Sequence, residues 1–314
     1  MNTNRKFLLV TSLIVFVVLL AIELVSRNIL NNKYNRAFDS SIIQRNKYFD
    51  SDGLKPNASA VVWGKNFTTD KFGFRSTGKP FDKKKKTWLF IGDSVTQGVG
   101  VDDSSTYVSL IAESLDSMNV LNCSMIGWSV YDYRNVVESL LADSTNPLNI
   151  SKITIAWCLN DLYGKAKASD LPAVGNKGFI SVASFFLQKH YATYRLVKLY
   201  ATQNSDHYFR YDEQFYKPGS HLLDAALETT NFILKTCLEK DIEIQVLSFP
   251  YRSVLEKDNA EETISEMKFI SLTSEIQSSA KSIPAKDLYL FSDEIHFSSL
   301  GHHIIAPIIF THKQ

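Results

Sequence analysis

The sequence predicts an α/β protein: a parallel sheet covered on both faces by helices, preceded by one N-terminal transmembrane helix. Two observations predict it. From Thr87 onward, short apolar runs alternate with longer stretches of helical periodicity, and that alternation builds parallel sheets from strand–helix–strand units. At the other end, Phe7 to Ile22 carries no charge and apolar character resumes at Leu24-Val25. At ~1.5 Å per residue a stretch of roughly nineteen residues spans ~28 Å, close to the hydrocarbon thickness of a bilayer.

The segments divide as a cytoplasmic stub (1–6), a transmembrane anchor (7–25), a stalk and lead-in (26–86) and an α/β domain (87–314) with an insertion at 162–219. The anchor reads as an uncleaved signal-anchor. Ala21-Ile22-Glu23 is a poor small-x-small cleavage site, and no cysteine follows that could carry a lipid. Arg27, Lys33 and Arg36 lie beyond the span and weaken the charge rule for orientation. The expectation is a single-pass membrane protein with its domain periplasmic or extracellular.

The lead-in is rich in turn residues, including Asp52-Gly53, Pro56-Asn57, Gly64, Gly73, Gly78 and Pro80. Lys83–Lys86 precedes the first domain strand. A solvated edge that discourages sheet pairing is its plainer account, and a polybasic contact is the sharper one. The domain then reads as strand 87–91, helix 107–118, strand 120–123, helix 131–142, strand 153–158, helix 222–239, strand 242–249, helix 264–278, strand 288–291 and helix 299–310. The insertion at 162–219 carries a dozen aromatic residues and one amphipathic helix near 182–200. It fits a substrate wall or lid, a helix packed on the sheet, or a membrane-facing surface.

With 314 residues, 45% of them hydrophobic and 21% charged, the chain can bury a core and is not a disordered one. A net charge of +1 gives no electrostatic case for a nucleic-acid partner. Cys123, Cys158 and Cys237 are widely spaced, match no zinc or redox motif and sit in apolar runs, as buried thiols do.

In α/β sheets, ligands bind beyond the carboxyl ends of the strands, and every candidate chemical residue falls at such an end. The first strand stops at Gly92-Asp93-Ser94. A serine at a tight strand-to-helix turn is exposed, but becomes a nucleophile only when a base takes its proton. Taken alone, Gly-Asp-Ser is more simply a helix N-cap. Asp293 and His296, three residues apart near the end of the chain, supply an orienting carboxylate and a base within one turn. His302 and His303 are rivals for the base, but they fall within the predicted closing helix without an obvious carboxylate. Three candidates can face a developing oxyanion. They are the backbone N–H of Ser94, the backbone N–H of Gly127 after the second strand, and the side-chain amide of Asn160 after the third. A turn at Gly127 and a helix cap at Asn160-Asp161 are the bland alternatives.

These four segments together resemble the blocks of the SGNH, or GDSL-like, hydrolase superfamily. Gly92-Asp93-Ser94 is similar to the block that carries the nucleophile, Gly127 and Asn160 to the two oxyanion blocks, and Asp293-Glu-Ile-His296 to the block with the acid and base. The resemblance covers roughly Thr87 to Phe310, apart from the insertion. Val95 and Cys158 depart from the usual leucine and glycine. The turn Gly73-Phe-Arg75 also looks like a feature of membrane-anchored bacterial relatives. The resemblance implies a flavodoxin-like three-layer α/β/α sandwich with a five-stranded parallel sheet. It implies an ester hydrolase acting through an acyl-enzyme, with no metal or organic cofactor. An outward-facing domain then suggests O-acyl, chiefly acetyl, esters of envelope carbohydrate or lipid. An O-acyltransferase of polysaccharide modification uses the same residues. A catalytically silent glycan-binding module is the reading from a different class.

Overall fold

The computed structural model describes residues 3–49, 51–142, 148–165, 179–217, 219–256 and 269–312. Helix α1 (Thr3–Lys33) contains the apolar run, and none of its most apolar window is buried against the rest of the chain. A helix of 31 residues is long and apolar enough to cross a membrane.

The stretch read as a stalk and lead-in forms two antiparallel pairs. Strand β1 (Ile43–Arg45) pairs with β2 (Asp52–Leu54), and β3 (Ser59–Val62) pairs with β4 (Lys65–Thr68). Trp63 and Gly64, with φ of 51° and 75°, make the two-residue turn between β3 and β4. Positive φ at both positions is what a type I′ hairpin turn requires. Ile42, Leu54, Val62 and Phe67 close a small core of their own with Val99, while Phe49, Phe72 and Phe74 join the main core.

The domain follows as β5 (Thr87–Gly92), α2 (Ser94–Gln97), α3 (Tyr107–Ser114), β6 (Asn119–Ser124), α4 (Val130–Ala142) and β7 (Ile150–Trp157). Three helices then occupy the insertion: α5 (Phe179–His190), α6 (Ala192–Ala201) and α7 (His207–Glu213). The chain continues through α8 (His221–Leu238), β8 (Glu243–Ser248), α9 (Arg252–Leu255), β9 (Ile270–Ser271), α10 (Thr273–Ser279), α11 (Ala285–Leu288) and α12 (Ser299–Thr311). The main sheet is wholly parallel in the order β6-β5-β7-β8-β9. Counted along its own strands that order is 2-1-3-4-5, the flavodoxin-like order, whose ligand crevice opens where the first strand lies between the second and third.

Both faces are covered, which gives the three layers. Strand β5 shows why its run is apolar at every position. Leu89 and Ile91 point to the face packed by α4 and α8, through Val136, Val137, Leu140, Ala226 and Ile233. Trp88 and Phe90 point to the opposite face, packed by α3, α10 and α12 through Val108, Ile111, Ile276, Ile305 and Ile309. Burying a large apolar side chain contributes ~1.5–3 kcal/mol, so a strand sandwiched this way tolerates no polar alternation.

Three expectations are corrected. The fifth strand is Ile270–Ser271, paired with Leu247 and Ser248, and not 288–291. That later run is used locally instead. The Ser298 N–H donates to Leu288 O and the Leu290 N–H to His296 O, both at 2.8 Å, and Tyr289 bridges Phe297 antiparallel. The apolar run is therefore a backrest for the His296 loop. The helix expected over 264–278 begins at Thr273, with 264–268 outside the described residues. In the insertion, the single helix expected near 182–200 is broken at Tyr191, which is extended at φ −121° and ψ 115°. The break has a cause outside the segment. The Glu23 carboxylate of α1 accepts the Ala192 and Thr193 N–H groups at 2.8 and 2.9 Å, starting a new helix there.

Candidate functional site

The crevice at the carboxyl ends of β5, β6 and β7 gathers the residues singled out from the sequence. Gly92 ends β5 because only a hydrogen fits. A Cβ there would stand 2.1 Å from Thr96 Oγ1 and 3.2 Å from the Ala156 Cβ. The chain turns directly into α2, with Asp93 as the N-cap: its carboxylate accepts the Val95 N–H at 2.8 Å. The cap role thus belongs to Asp93, and the Ser94 hydroxyl is left for another partner. That partner is His296, whose Nε2 lies 2.8 Å from Ser94 Oγ. A weaker contact of 3.2 Å runs from Ser94 Oγ to Asp93 Oδ2.

Behind His296, Nδ1 lies 3.0 and 3.1 Å from the two oxygens of Asp293. An ionised carboxylate only accepts, so Nδ1 carries the proton and Nε2 of the neutral ring is the acceptor facing Ser94. Asp293 Oδ1 also accepts the backbone N–H groups of Ile295 and His296 at 2.8 and 2.9 Å, closing the turn that the three-residue spacing suggested. Burial works to raise the Asp293 carboxyl. The facing His296, its hydrogen bonds and the Arg36 guanidinium outweigh that and hold it well below the usual carboxylate range.

The three oxyanion candidates surround the same corner. Ser94 is the first residue of α2, so its N–H has no intrahelical acceptor. Gly127 adopts φ +83°, a left-handed conformation that a side chain would strain, and open space lies where its Cβ would be. Asn160 sits one turn past β7, in the 3-10 turn Leu159–Lys165. Burial raises the Asp93 carboxyl, and the Asn160 amide works with the Val95 N–H, His296 and the Ser94 hydroxyl to favour its charged form. Asn160 Oδ1 lies 3.5 Å from the Tyr251 hydroxyl. Asp161, not Asn160, makes the cap-like bond of this turn: its Oδ2 accepts the Cys158 N–H at 2.8 Å. Cys158 is buried with its Sγ 3.8 Å from Asp93 Oδ1, and burial pushes its thiol well above the ordinary range.

The rival histidines are placed elsewhere. His302 is buried in α12, where its Nδ1 accepts the Tyr107 N–H at 3.2 Å. Burial, then the nearby Arg75 charge, lowers its pKa to about 3, so it is a neutral structural acceptor. His303 is exposed, with Nδ1 2.7 Å from Ser299 O. Cys123, Cys158 and Cys237 are buried free thiols.

Several residues at the site have no motif. Arg36, three positions past α1, reaches the Asp293 loop: Nη2 lies 3.2 Å from Asp293 Oδ2 and donates to Phe291 O and Ser292 O at 3.1 and 3.2 Å. Its guanidinium sits over the Trp63 ring, whose edge-to-face contact with His296 has a centroid distance of 4.8 Å. A tryptophan at positive φ is a strained choice, tolerated where its side chain has work to do. Arg252, after β8, donates to Asp293 O at 3.0 Å, Gln203 O at 2.6 Å and Ser205 O at 2.8 Å, tying the insertion to the same loop. Arg75 is buried and donates to Gln97 O, Gly98 O and Val101 O, with Asp103 as its counter-ion at 3.0 Å. It thereby braces the chain that leaves α2. In the sequence, only the likeness of the Gly73-Phe-Arg75 turn to membrane-anchored bacterial relatives pointed to it.

The insertion divides between the roles the sequence left open. Its later part backs the site. The Tyr216 hydroxyl donates to Leu159 O at 2.9 Å and accepts from Trp157 Nε1 at 3.0 Å, and Asp212 accepts from the Tyr251 hydroxyl at 2.5 Å and from Tyr163. Burial raises the Asp212 carboxyl, against those two phenol donors. Helix α6 runs beside α1 and packs on α5, and its Tyr200 ring reaches Phe291 in the loop that carries Asp293.

No family model matches the chain, and no curated protein sequence matches it. Among solved structures, it is similar to a lipolytic protein of the G-D-S-L family from Veillonella parvula, at 13% identity and TM-score 0.38, covering 73% of this chain and all of that one. A putative lipolytic protein of the same family from Desulfitobacterium hafniense is similar at 11% identity and TM-score 0.36, covering 71% and 97%. A variant of an acetyl-xylooligosaccharide esterase from Geobacillus is similar at 16% identity and TM-score 0.40, covering 72% and 94%.

Proposed function

We propose that this chain is a membrane-anchored serine esterase that works through an acyl-enzyme. One observation carries the reading: Ser94 Oγ, His296 Nε2 and the Asp293 carboxylate form an unbroken hydrogen-bonded line, with contacts of 2.8 and 3.0 Å. In this reading Ser94 attacks an ester carbonyl while His296 Nε2 takes its proton. Asp293 fixes the ring tautomer and stabilises the imidazolium. The tetrahedral oxyanion lies toward the N–H groups of Ser94 and Gly127 and the Asn160 amide. His296 then hands its proton to the departing alcohol, and an acyl group remains on Ser94. Water enters, gives a proton to the same nitrogen and attacks the acyl-enzyme, and Ser94 is regenerated as the acid leaves. No step requires a metal or organic cofactor.

The substrate class we propose is an O-acyl ester, chiefly acetyl, of envelope or extracellular carbohydrate or lipid. Its support is location: α1 as an uncleaved single-pass anchor, with the domain outside. A transferase would share every step up to the acyl-enzyme and differ only in the nucleophile that resolves it. Initial rates on nitrophenyl esters of increasing chain length test the reading, with full-length protein and its Ser94→Ala variant side by side. Serine-dependent turnover that favours acetyl is expected. Turnover equal in the variant removes Ser94 from the chemistry. An acyl-enzyme that forms but resolves only when a sugar is added identifies the transferase.

A further inference from the structure

Helices α5 and α6 expose what a water-facing element of a soluble domain would bury. Val182, Phe185, Phe186, Tyr191 and Val197 are 48–69% exposed, and Lys189, Arg195 and Lys198 are exposed among them. An apolar set with aromatic and basic residues interleaved is the composition of an interfacial helix.

Their position relative to α1 says what covers them. Glu23 lies within the last apolar turns of α1, just before Leu24-Val25. Its carboxylate accepts the Ala192 N–H, the Thr193 N–H and the Thr193 hydroxyl at 2.8–2.9 Å, and Arg27 pairs with it at 3.0 Å. A carboxylate so close to lipid is tolerated when charge and hydrogen bonds are both satisfied, as they are here. At its far end, α6 meets the end of α1 again: the Tyr200 and Tyr34 hydroxyls are 2.9 Å apart, and both rings pack on Phe291 at 4.9 Å. The two helices therefore run side by side in the same direction, with the α5–α6 corner at the level of Glu23. When the apolar run of α1 occupies a bilayer, that corner is at the boundary between hydrocarbon and headgroups.

We propose that the α5–α6 corner is a second membrane contact, seated in the lipid interface beside α1. Phe185, Phe186 and Tyr191 enter the acyl boundary, and the basic side chains face anionic headgroups. Since Tyr34 and Arg36 tie the end of α1 to the Phe291–Asp293 loop, this seating holds the Ser94 site close over the same leaflet. The inference rests on α1 being an anchor, which belongs to the proposed function.

The test uses the full chain in vesicles of mixed phosphatidylcholine and phosphatidylglycerol. Single cysteines are introduced by Phe185→Cys, Val197→Cys, Val15→Cys and Lys281→Cys, each labelled with an environment-sensitive fluorophore. The three native thiols are buried and stay unlabelled. Lipids spin-labelled at shallow or deep positions quench from the membrane side, and iodide quenches from water. The label at position 15 should be quenched by deep spin labels, and that at 281 by iodide. Position 185 should be quenched by shallow spin labels at least roughly threefold more than position 281. Position 197 reports on the same surface should the variant at 185 fail to fold. A label at 15 that avoids lipid overturns the anchor itself. A lipid-quenched label at 15 with water-accessible labels at 185 and 197 overturns the corner alone. Labels at 185 and 197 shielded from both quenchers mean that protein, such as a second copy, covers the corner, and overturn the proposal as well.

Discussion

The Ser94–His296–Asp293 line depends on residues that hold it as well as on those that form it. Arg36 sets one guanidinium nitrogen, Nη2, against the Asp293 carboxylate and two neighbouring carbonyls at once, with the planar group seated over Trp63. Lysine has donors enough for those contacts but lacks the planar cation that stacks on Trp63 and aims them. Arg36→Gln should therefore lower kcat roughly tenfold with the fold intact, and Arg36→Lys should recover less than half of the loss. Steady-state rates with a circular dichroism control check this, and full activity in Arg36→Gln would reduce the contact to a surface pair. Asn160→Ala should lower kcat about 10²–10³-fold with KM nearly unchanged, as the loss of one oxyanion donor does. A change confined to KM would make Asn160 a ground-state contact. Ser94, Asp293 and His296, which the structure brings into contact, are legible in the sequence because each lies at a strand end or within one tight turn, as do the candidates Gly127 and Asn160. Arg36, Trp63 and Arg252 were not. Their partners are 257, 233 and 41 positions away, as the numbers of Asp293 and His296 give, and no local pattern encodes such contacts.

At the level of elements, helical and strand periodicity located most of the domain, and its failures share a cause. The 288–291 run is apolar enough for a sheet strand, yet its backbone is taken by the His296 loop. The insertion helix breaks because Glu23, far away in sequence, caps it from outside. In both places a tertiary hydrogen bond overrides a local preference. The contact between α3 and α12 carries a pH signature. His302 is held neutral by burial, then by Arg75 and His303, with its pKa lowered to about 3, against ~6.5 in an unfolded chain. Between those values the unfolded chain binds the extra proton, so stability is fully present above pH ~6.5 and is lost as pH falls toward 3. At pH ~5 the loss attributable to this one group is about 2 kcal/mol. Urea unfolding at neutral pH and near pH 5 should show that difference in the native protein and its absence in His302→Gln. Equal slopes in the two would place the acid sensitivity elsewhere.

Across the whole molecule, the segment read as a stalk packs two hairpins on the domain and carries Trp63 to His296, so the end of α1 is tied to the Ser94 corner. The proposed placement of the domain outside the cell membrane is testable with Lys281→Cys, an exposed position outside α5 and α6. A membrane-impermeant thiol reagent should label it in cells whose inner membrane is intact, with outer-membrane permeabilisation where such a membrane exists. Labelling only after lysis of the inner membrane would invert the topology. Whether Ser94 carries the acyl group is read directly by mass spectrometry. Full-length protein is mixed with nitrophenyl acetate, quenched in acid during turnover and mapped by peptide. Acetyl is expected on the Ser94 peptide, and its absence, together with loss of turnover, in Ser94→Ala. Acetyl on another residue during productive turnover, or undiminished turnover in the variant, would contradict Ser94 as the acyl carrier.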